Sequence, residues 1–208
     1  MNTPCNEFFD FVNNYCGEKI NLCFDIGSRD CNESVALQKL LNCKVVAFEP
    51  NPPQYNICKT YEDENIKVEP IALSNYEGRS SFYQTPANVG AASLLKPLMV
   101  PHSWDNTIIK IEDIEVTNLS NYCKKNKQYP EMIWMDVQGN ELNVLLGMDQ
   151  EVINNLQYIC TEVGVVGYYE GHTLENDIKN LLNSFGFHLI FEKFEWEKEK
   201  FCIFKKRS

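Results

Sequence analysis

The sequence predicts an α/β fold: a mostly parallel sheet flanked by helices, ending in a C-terminal antiparallel hairpin. Three observations point there. Short apolar runs alternate with amphipathic stretches, which is the order of parallel βαβ units. Four of the runs finish on or beside an acid: Asp25, Glu49, Asp136 and Glu162. The last two runs, Phe187–Phe194 and Phe201–Lys205, follow one another with no helical stretch between them.

The elements read as follows. Pro4–Cys16 places Phe8, Phe9, Phe11, Val12 and Tyr15 at helical spacing. Ile20–Asp25 is a strand-like run leading into Gly27, and Glu33–Leu41 is helical. Val45–Phe48 is a second run, and Pro52 and Pro53 suit the first turn of the helix after it. Ile66–Leu73 reads as a third strand. Arg79–Val116, interrupted by Pro86, Gly90, Pro97 and Pro101, reads as extra strands and a long loop. Leu119–Lys127 is helical, Glu131–Asp136 a strand, Glu141–Met148 a helix and Gln157–Val163 a strand. Thr173–Phe185 is an amphipathic helix that Gly186 can cap. With 208 residues we expect one domain over 1–208, an N-terminal helical segment (1–19) preceding a Rossmann-like core (20–208).

Composition narrows the class. The chain is 44% hydrophobic and 23% charged, as soluble globular domains are. A net charge of −10 repels phosphate backbones, so we expect no nucleic-acid partner; the one dense basic stretch is Lys205, Lys206 and Arg207. No apolar run nears the roughly 20 residues of a membrane span. Met1–Asp10 carries acids and no basic side chain, unlike a signal peptide, so a cytoplasmic location is expected. Nine cysteines without C-x-x-C spacing argue against zinc, and Cys23, Cys160 and Cys202 fall inside apolar runs, as small buried residues do.

In sheets of this type ligands bind beyond the carboxyl ends of the strands. One acid there is ordinarily a solvated strand end or a helix cap; four together point to a polar ligand. A dinucleotide needs G-x-G-x-x-G so that its pyrophosphate can approach backbone amides. Here Gly27 stands alone, with Arg29 and Asn32 at the other two positions and Asp30 nearby. S-adenosylmethionine has no phosphate. It needs one tight turn (Gly27), a carboxylate for its ribose hydroxyls (Glu49) and acids for its cationic end, so the residues favour this donor over NAD.

Several motifs carry a resemblance. D-I-G-S-R-D-C-N-E-S (Asp25–Ser34) resembles D-V-G-A-N-x-G-x-x-S, and F-E-P-N-P (Phe48–Pro52) resembles F-E-P-x-P. A-L-S-N-Y-E-G-R-S-S-F (Ala72–Phe82) and A-A-S-L-L (Ala91–Leu95) follow in order. M-D-V-Q-G-N-E-L-N-V-L-L-G-M (Met135–Met148) resembles I-D-V-E-G-x-E-x-x-V-L-x-G-A, and T-E-V (Thr161–Val163) a late acidic strand end. The chain thus resembles the FkbM family of methyltransferases, from about residue 22 onward. It departs at Arg29 and Cys31, where the family has asparagine and its second glycine.

The resemblance implies a class I methyltransferase fold and an S-adenosylmethionine-dependent O-methyltransferase. It puts donor contacts at Asp25, Gly27, Ser28, Glu49, Pro50, Asn51, Ala72, Ser74 and Asp136. A hydroxyl acceptor needs a base in reach of its proton. Asp136 and Glu162 are the first candidates and His172 the third; the two carboxylates could instead hold a divalent metal, which is not favoured. Ser93, Trp104 and Tyr168, with Tyr169, are candidates to line the acceptor pocket. His102 and His172 stand in loop-like contexts, where a lone histidine is ordinarily a surface residue. The expected acceptor is a sugar hydroxyl in a glycan or glycoconjugate. A small-molecule natural product, an NAD-dependent oxidoreductase and a non-catalytic binding module are the alternatives.

Overall fold

The structure, a computed structural model, describes residue 12 and residues 19–98, 107–196 and 199–207. Apart from Val12, which is helical and buried, the expected N-terminal helix lies outside the described residues, as do His102 and Trp104.

Seven strands form the main sheet: β1 (Leu22–Ile26), β2 (Lys44–Phe48), β3 (Ile66–Glu69), β7 (Met132–Met135), β8 (Tyr158–Gly164), β9 (Phe187–Trp196) and β10 (Glu199–Lys206). Their order is β3-β2-β1-β7-β8-β10-β9. The first five run parallel; β10 pairs antiparallel with β8, and β9 with β10. This is the mostly parallel Rossmann-like sheet with a closing hairpin that the sequence predicts. Strand order reverses at β1, which has β2 on one side and β7 on the other, and there a ligand crevice opens.

A second sheet, of order β4-β6-β5, contains β4 (Ala72–Leu73), β5 (Gly78–Gln84) and β6 (Ile109–Thr117). The single strand expected over Ile66–Leu73 is in fact two, β3 and β4, in different sheets. Pro70 stands between them and has no N–H to continue a ladder.

The helices are α1 (Asn32–Leu41), α2 (Pro52–Cys58), α3 (Leu119–Asn126), α4 (Glu141–Leu146), α5 (Gln150–Asn155) and α6 (Glu175–Ser184). The sequence reading missed α5, which Asp149 starts by accepting from the amides of Glu151 and Val152 at 3.1 Å each. Gly186, at φ 85°, follows α6 in the role expected of it.

Both faces of the main sheet are buried, so its strands are apolar at successive positions. Phe24, Phe48, Ile133 and Met135 pack toward α3–α6. Cys23, Val45, Ala47, Trp134 and Cys160 pack on the other face with Leu37 of α1 and Cys58 of α2. Burying roughly 1.5–3 kcal/mol worth of apolar surface per large side chain makes this two-sided core the frame that fixes the strand ends.

Candidate active site

The site begins with the turn after β1. The amides of Gly27 and Ser28 donate to the Phe48 carbonyl at 3.0 and 3.1 Å, and the Asp136 amide donates to the Ile26 carbonyl at 3.0 Å. The ends of β1, β2 and β7 are thereby tied together. Gly27 sits at φ 93°, and a Cβ there would lie 1.9 Å from the Asp136 carbonyl oxygen. No other residue lets the backbones approach this closely. The three strand ends floor a cleft that is partly open to solvent, the setting in which small-molecule ligands are ordinarily held. Its walls include Ile71, Phe82 and Val89.

Glu49 is 5% exposed and spans two backbone donors. Its Oε2 accepts from the Arg29 amide at 2.7 Å and its Oε1 from the Asn51 amide at 2.8 Å. Burial still pushes its pKa up to about 7. Asp25, also buried, accepts at Oδ2 from the Ser28 hydroxyl at 2.7 Å and from the Ser34 hydroxyl. Burial raises it to about 7 as well, against the opposing effect of those hydroxyls.

At the far side of the cleft, Asp136 follows β7 and Glu162 lies in β8. One Gln138 amide nitrogen donates to both, at 2.7 Å to Asp136 Oδ1 and 2.9 Å to Glu162 Oε2. The Gln138 carbonyl oxygen accepts from the Tyr169 hydroxyl at 2.8 Å. Burial pushes the Tyr169 pKa up, so that hydroxyl keeps its proton. The loop is clasped by Glu141, whose Oε1 accepts from the amides of Val137 at 3.0 Å and Gly139 at 3.2 Å.

Most expected donor contacts meet in this cleft: Asp25, Gly27, Glu49, Pro50, Asn51, Ala72 and Asp136 line it, and so does Glu162. Ser28 and Ser74 do not. The Ser28 hydroxyl supports Asp25 from behind, and Ser74 is buried against the α4 end, its carbonyl facing Gly147. His172 is also apart from the cleft. It lines a small separate pocket with Glu162 and Glu199, its ring packed over Gly139 and Gly164. Its Nδ1 accepts from the Tyr168 amide at 3.2 Å, and burial lowers its pKa below the usual value. The histidine thus steadies a loop as a neutral ring.

Ser93 is buried, its hydroxyl donating to the Val137 carbonyl at 3.3 Å and accepting from the Leu95 amide at 3.0 Å. Tyr168 is half-buried, with its carbonyl accepting from the Leu98 amide at 2.8 Å. Neither lines the cleft. Sequence reasoning noted Arg29 as a departure from the motif and did not single out Gln138 or Asn140; Arg29 and Asn140 line the cleft, and Gln138 braces its edge. Their signal lay inside the two motifs, between residues chosen for their charge.

The fold is similar to that of the magnesium protoporphyrin IX methyltransferase of Synechocystis PCC 6803 with bound S-adenosylmethionine. The TM-score is 0.55 at 8% identity, covering 98% of this chain and 80% of that one. It is also similar to the Burkholderia thailandensis 1,6-didemethyltoxoflavin-N1-methyltransferase with bound S-adenosylhomocysteine. There the TM-score is 0.52 at 8% identity, over 99% and 79% of the two chains. Sheet order, turn and cleft are those of a methyltransferase of Rossmann-like fold that uses S-adenosylmethionine. The chain belongs to the FkbM methyltransferase family, whose domain matches residues 16–189. This sets aside the dinucleotide alternative. A curated relative, the 2-O-methyltransferase NoeI of Sinorhizobium fredii, is 27% identical over 176 residues, 77% of this chain and 70% of the relative.

The cleft fits such a donor. Asn51 is 1% exposed, yet its Oδ1 has no hydrogen-bond partner, leaving a buried acceptor at the cleft wall for a ligand donor. Five carboxylates line the cleft (Asp25, Glu33, Glu49, Asp136 and Glu162) against one cation, Arg29, which complements a ligand carrying an ammonium and a sulfonium. Among the described residues no group of three or more His, Cys, Asp or Glu side chains is arranged to hold a metal ion. No helix among them is long and apolar enough to cross a membrane.

Proposed function

We propose that the protein methylates a hydroxyl of a sugar in a glycan or glycoconjugate, with Glu162 as the base. The observation that carries this reading is the pair of carboxylates, Asp136 and Glu162, at the edge of the cleft that Glu49 closes on its other side. When bound, the donor supplies an already electrophilic methyl group, so positioning and proton removal are what remain for the protein. Glu49 and Asn51 would hold hydroxyl and amine donors of the adenosine end. Asp136 would hold the ammonium of its amino-acid end. Glu162 takes the proton from the acceptor hydroxyl as its oxygen becomes the nucleophile, a role worth about 10²–10⁴ in rate.

The printed function of the curated relative, 2-O-methyl transfer, supports an oxygen acceptor. The net charge of −10 disfavours a nucleic-acid acceptor. On this reading residues 1–208 form one catalytic domain. The seven described cysteines, all free and buried, suit a reducing cytoplasm. The test is incubation of the protein with methyl-labelled S-adenosylmethionine and a panel of glycans, small-molecule alcohols and RNA. A labelled methyl ether on a sugar is expected. Label only on the alcohols, on nitrogen or on RNA overturns the proposal.

A further inference from the structure

We infer that Gln138 is a positioning residue, its side-chain amide holding the Glu162 carboxylate beside Asp136 and at the cleft. This rests on the reading of Glu162 as the acceptor base. Two carboxylates at adjacent strand ends repel, and a like charge nearby disfavours the charged form of each. Here one amide nitrogen stands between them and gives a hydrogen to each, at 2.7 and 2.9 Å. The two side chains are thereby held side by side on one donor.

The amide is held in that orientation. Tyr169 donates to its oxygen at 2.8 Å, so a flipped amide would set its oxygen against two carboxylates and its nitrogen against a hydroxyl. The backbone is held too. Gln138 sits at φ 54°, in the left-handed region, and the amides on either side of it, Val137 and Gly139, both donate to Glu141. A non-glycine residue in that conformation persists where its surroundings fix it, and such positions gather at functional sites. Gln138 therefore touches neither end of the reaction directly, yet it sets where the base carboxylate points.

The titratable groups around Glu162 are Asp136 after β7, Glu141 of α4, Tyr169 and His172 of the loop after β8, and Glu199 of β10. All of them are unchanged when Gln138 alone is replaced. Gln138→Glu, which places at 138 the glutamate of the resembled motif, keeps the shape and sets a third carboxylate between the pair; Gln138→Leu removes the hydrogen bonds to both; Tyr169→Phe frees the amide to turn.

The experiment has two readouts on wild type and these variants. Carboxyl ¹³C NMR follows the Glu162 titration in the donor-free protein, and kcat and acceptor KM are measured against pH. Gln138→Glu is expected to move the Glu162 titration, and the rising limb of kcat, about one unit or more toward alkaline pH. Gln138→Leu is expected to lower kcat about tenfold or more with little change in KM, and Tyr169→Phe to lower it less. If Gln138→Leu fails to fold, the near-isosteric Gln138→Glu decides. An unmoved Glu162 titration and a wild-type kcat profile in Gln138→Glu overturn the inference. Full turnover in Glu162→Gln overturns the base reading instead, whatever the NMR shows.

Discussion

The backbone amide of Arg29 donates to Glu49 Oε2 across 2.7 Å, fastening the turn after β1 to the end of β2. The Asn51 amide holds the other oxygen at 2.8 Å. Glu49 is thus aimed before any ligand arrives, with a lone pair left on each oxygen for hydroxyl donors. Removing it in Glu49→Ala is expected to weaken donor binding by about 1–3 kcal/mol, the cost of lost charge-assisted bonds. Calorimetry with S-adenosylmethionine checks this, and unchanged affinity would take Glu49 out of the site.

The same carboxylate gives donor binding a pH dependence. Burial raises the Glu49 pKa to about 7, so at lower pH it is protonated and loses acceptor capacity. Donor affinity is expected to rise as pH increases through about 7. Glu49→Gln should flatten that rise, leaving a residue from Asp25, which also titrates at about 7. Calorimetric titrations from about pH 5.5 to 8.5, spanning the shifted carboxyl values, measure it.

At Gly27 a methyl group would meet backbone, since the Cβ position lies 1.9 Å from the Asp136 carbonyl oxygen. The consequence is wider than a blocked ligand: β1 and the Asp136 loop must separate. Gly27→Ala is expected to lower both the melting temperature and donor affinity. A variant with wild-type melting and binding contradicts the placement of this turn.

Glu141 links the loop to stability. Burial raises its pKa to about 7 from a usual 4.5, against the opposing effect of the Val137 and Gly139 amides. The folded state then binds the proton more tightly than the unfolded chain does. Its contribution is fully present below the unfolded value and is lost as pH rises through about 7. Thermal unfolding at pH values on either side of that window is expected to show a smaller loss on alkalinisation in Glu141→Gln than in wild type. Equal losses would remove Glu141 as a contributor.

The parallel sheet and its hairpin were legible in the alternation of apolar runs, and the convergence of Asp25, Gly27, Glu49 and Asp136 on one cleft followed from strand-end acids and a lone Gly27. β3 and β4 were read as one strand because apolar patterning does not register a change of sheet at Pro70. Ser28 and Ser74 lie outside the cleft lining, since a motif fixes sequence position and leaves open which side of a turn a hydroxyl faces. His172 was read by its chemistry, and the structure places its ring over Gly139 and Gly164, apart from the cleft lining. Gln138 was passed over although it stands where the resembled motif has glutamate, since its contacts with Asp136, Glu162 and Tyr169 come together only in the fold.

The most direct test of the account is transfer of labelled methyl from S-adenosylmethionine to a sugar acceptor by wild type, Glu162→Gln and Asp136→Asn, with donor binding measured on the same samples. Each amide keeps the shape of the acid it replaces but cannot accept the proton. Glu162→Gln is predicted to bind the donor nearly as wild type and to lose about 10²–10⁴ in turnover, while Asp136→Asn loses both binding and turnover. Wild-type turnover in both variants, on an acceptor that wild type methylates at oxygen, would contradict the account.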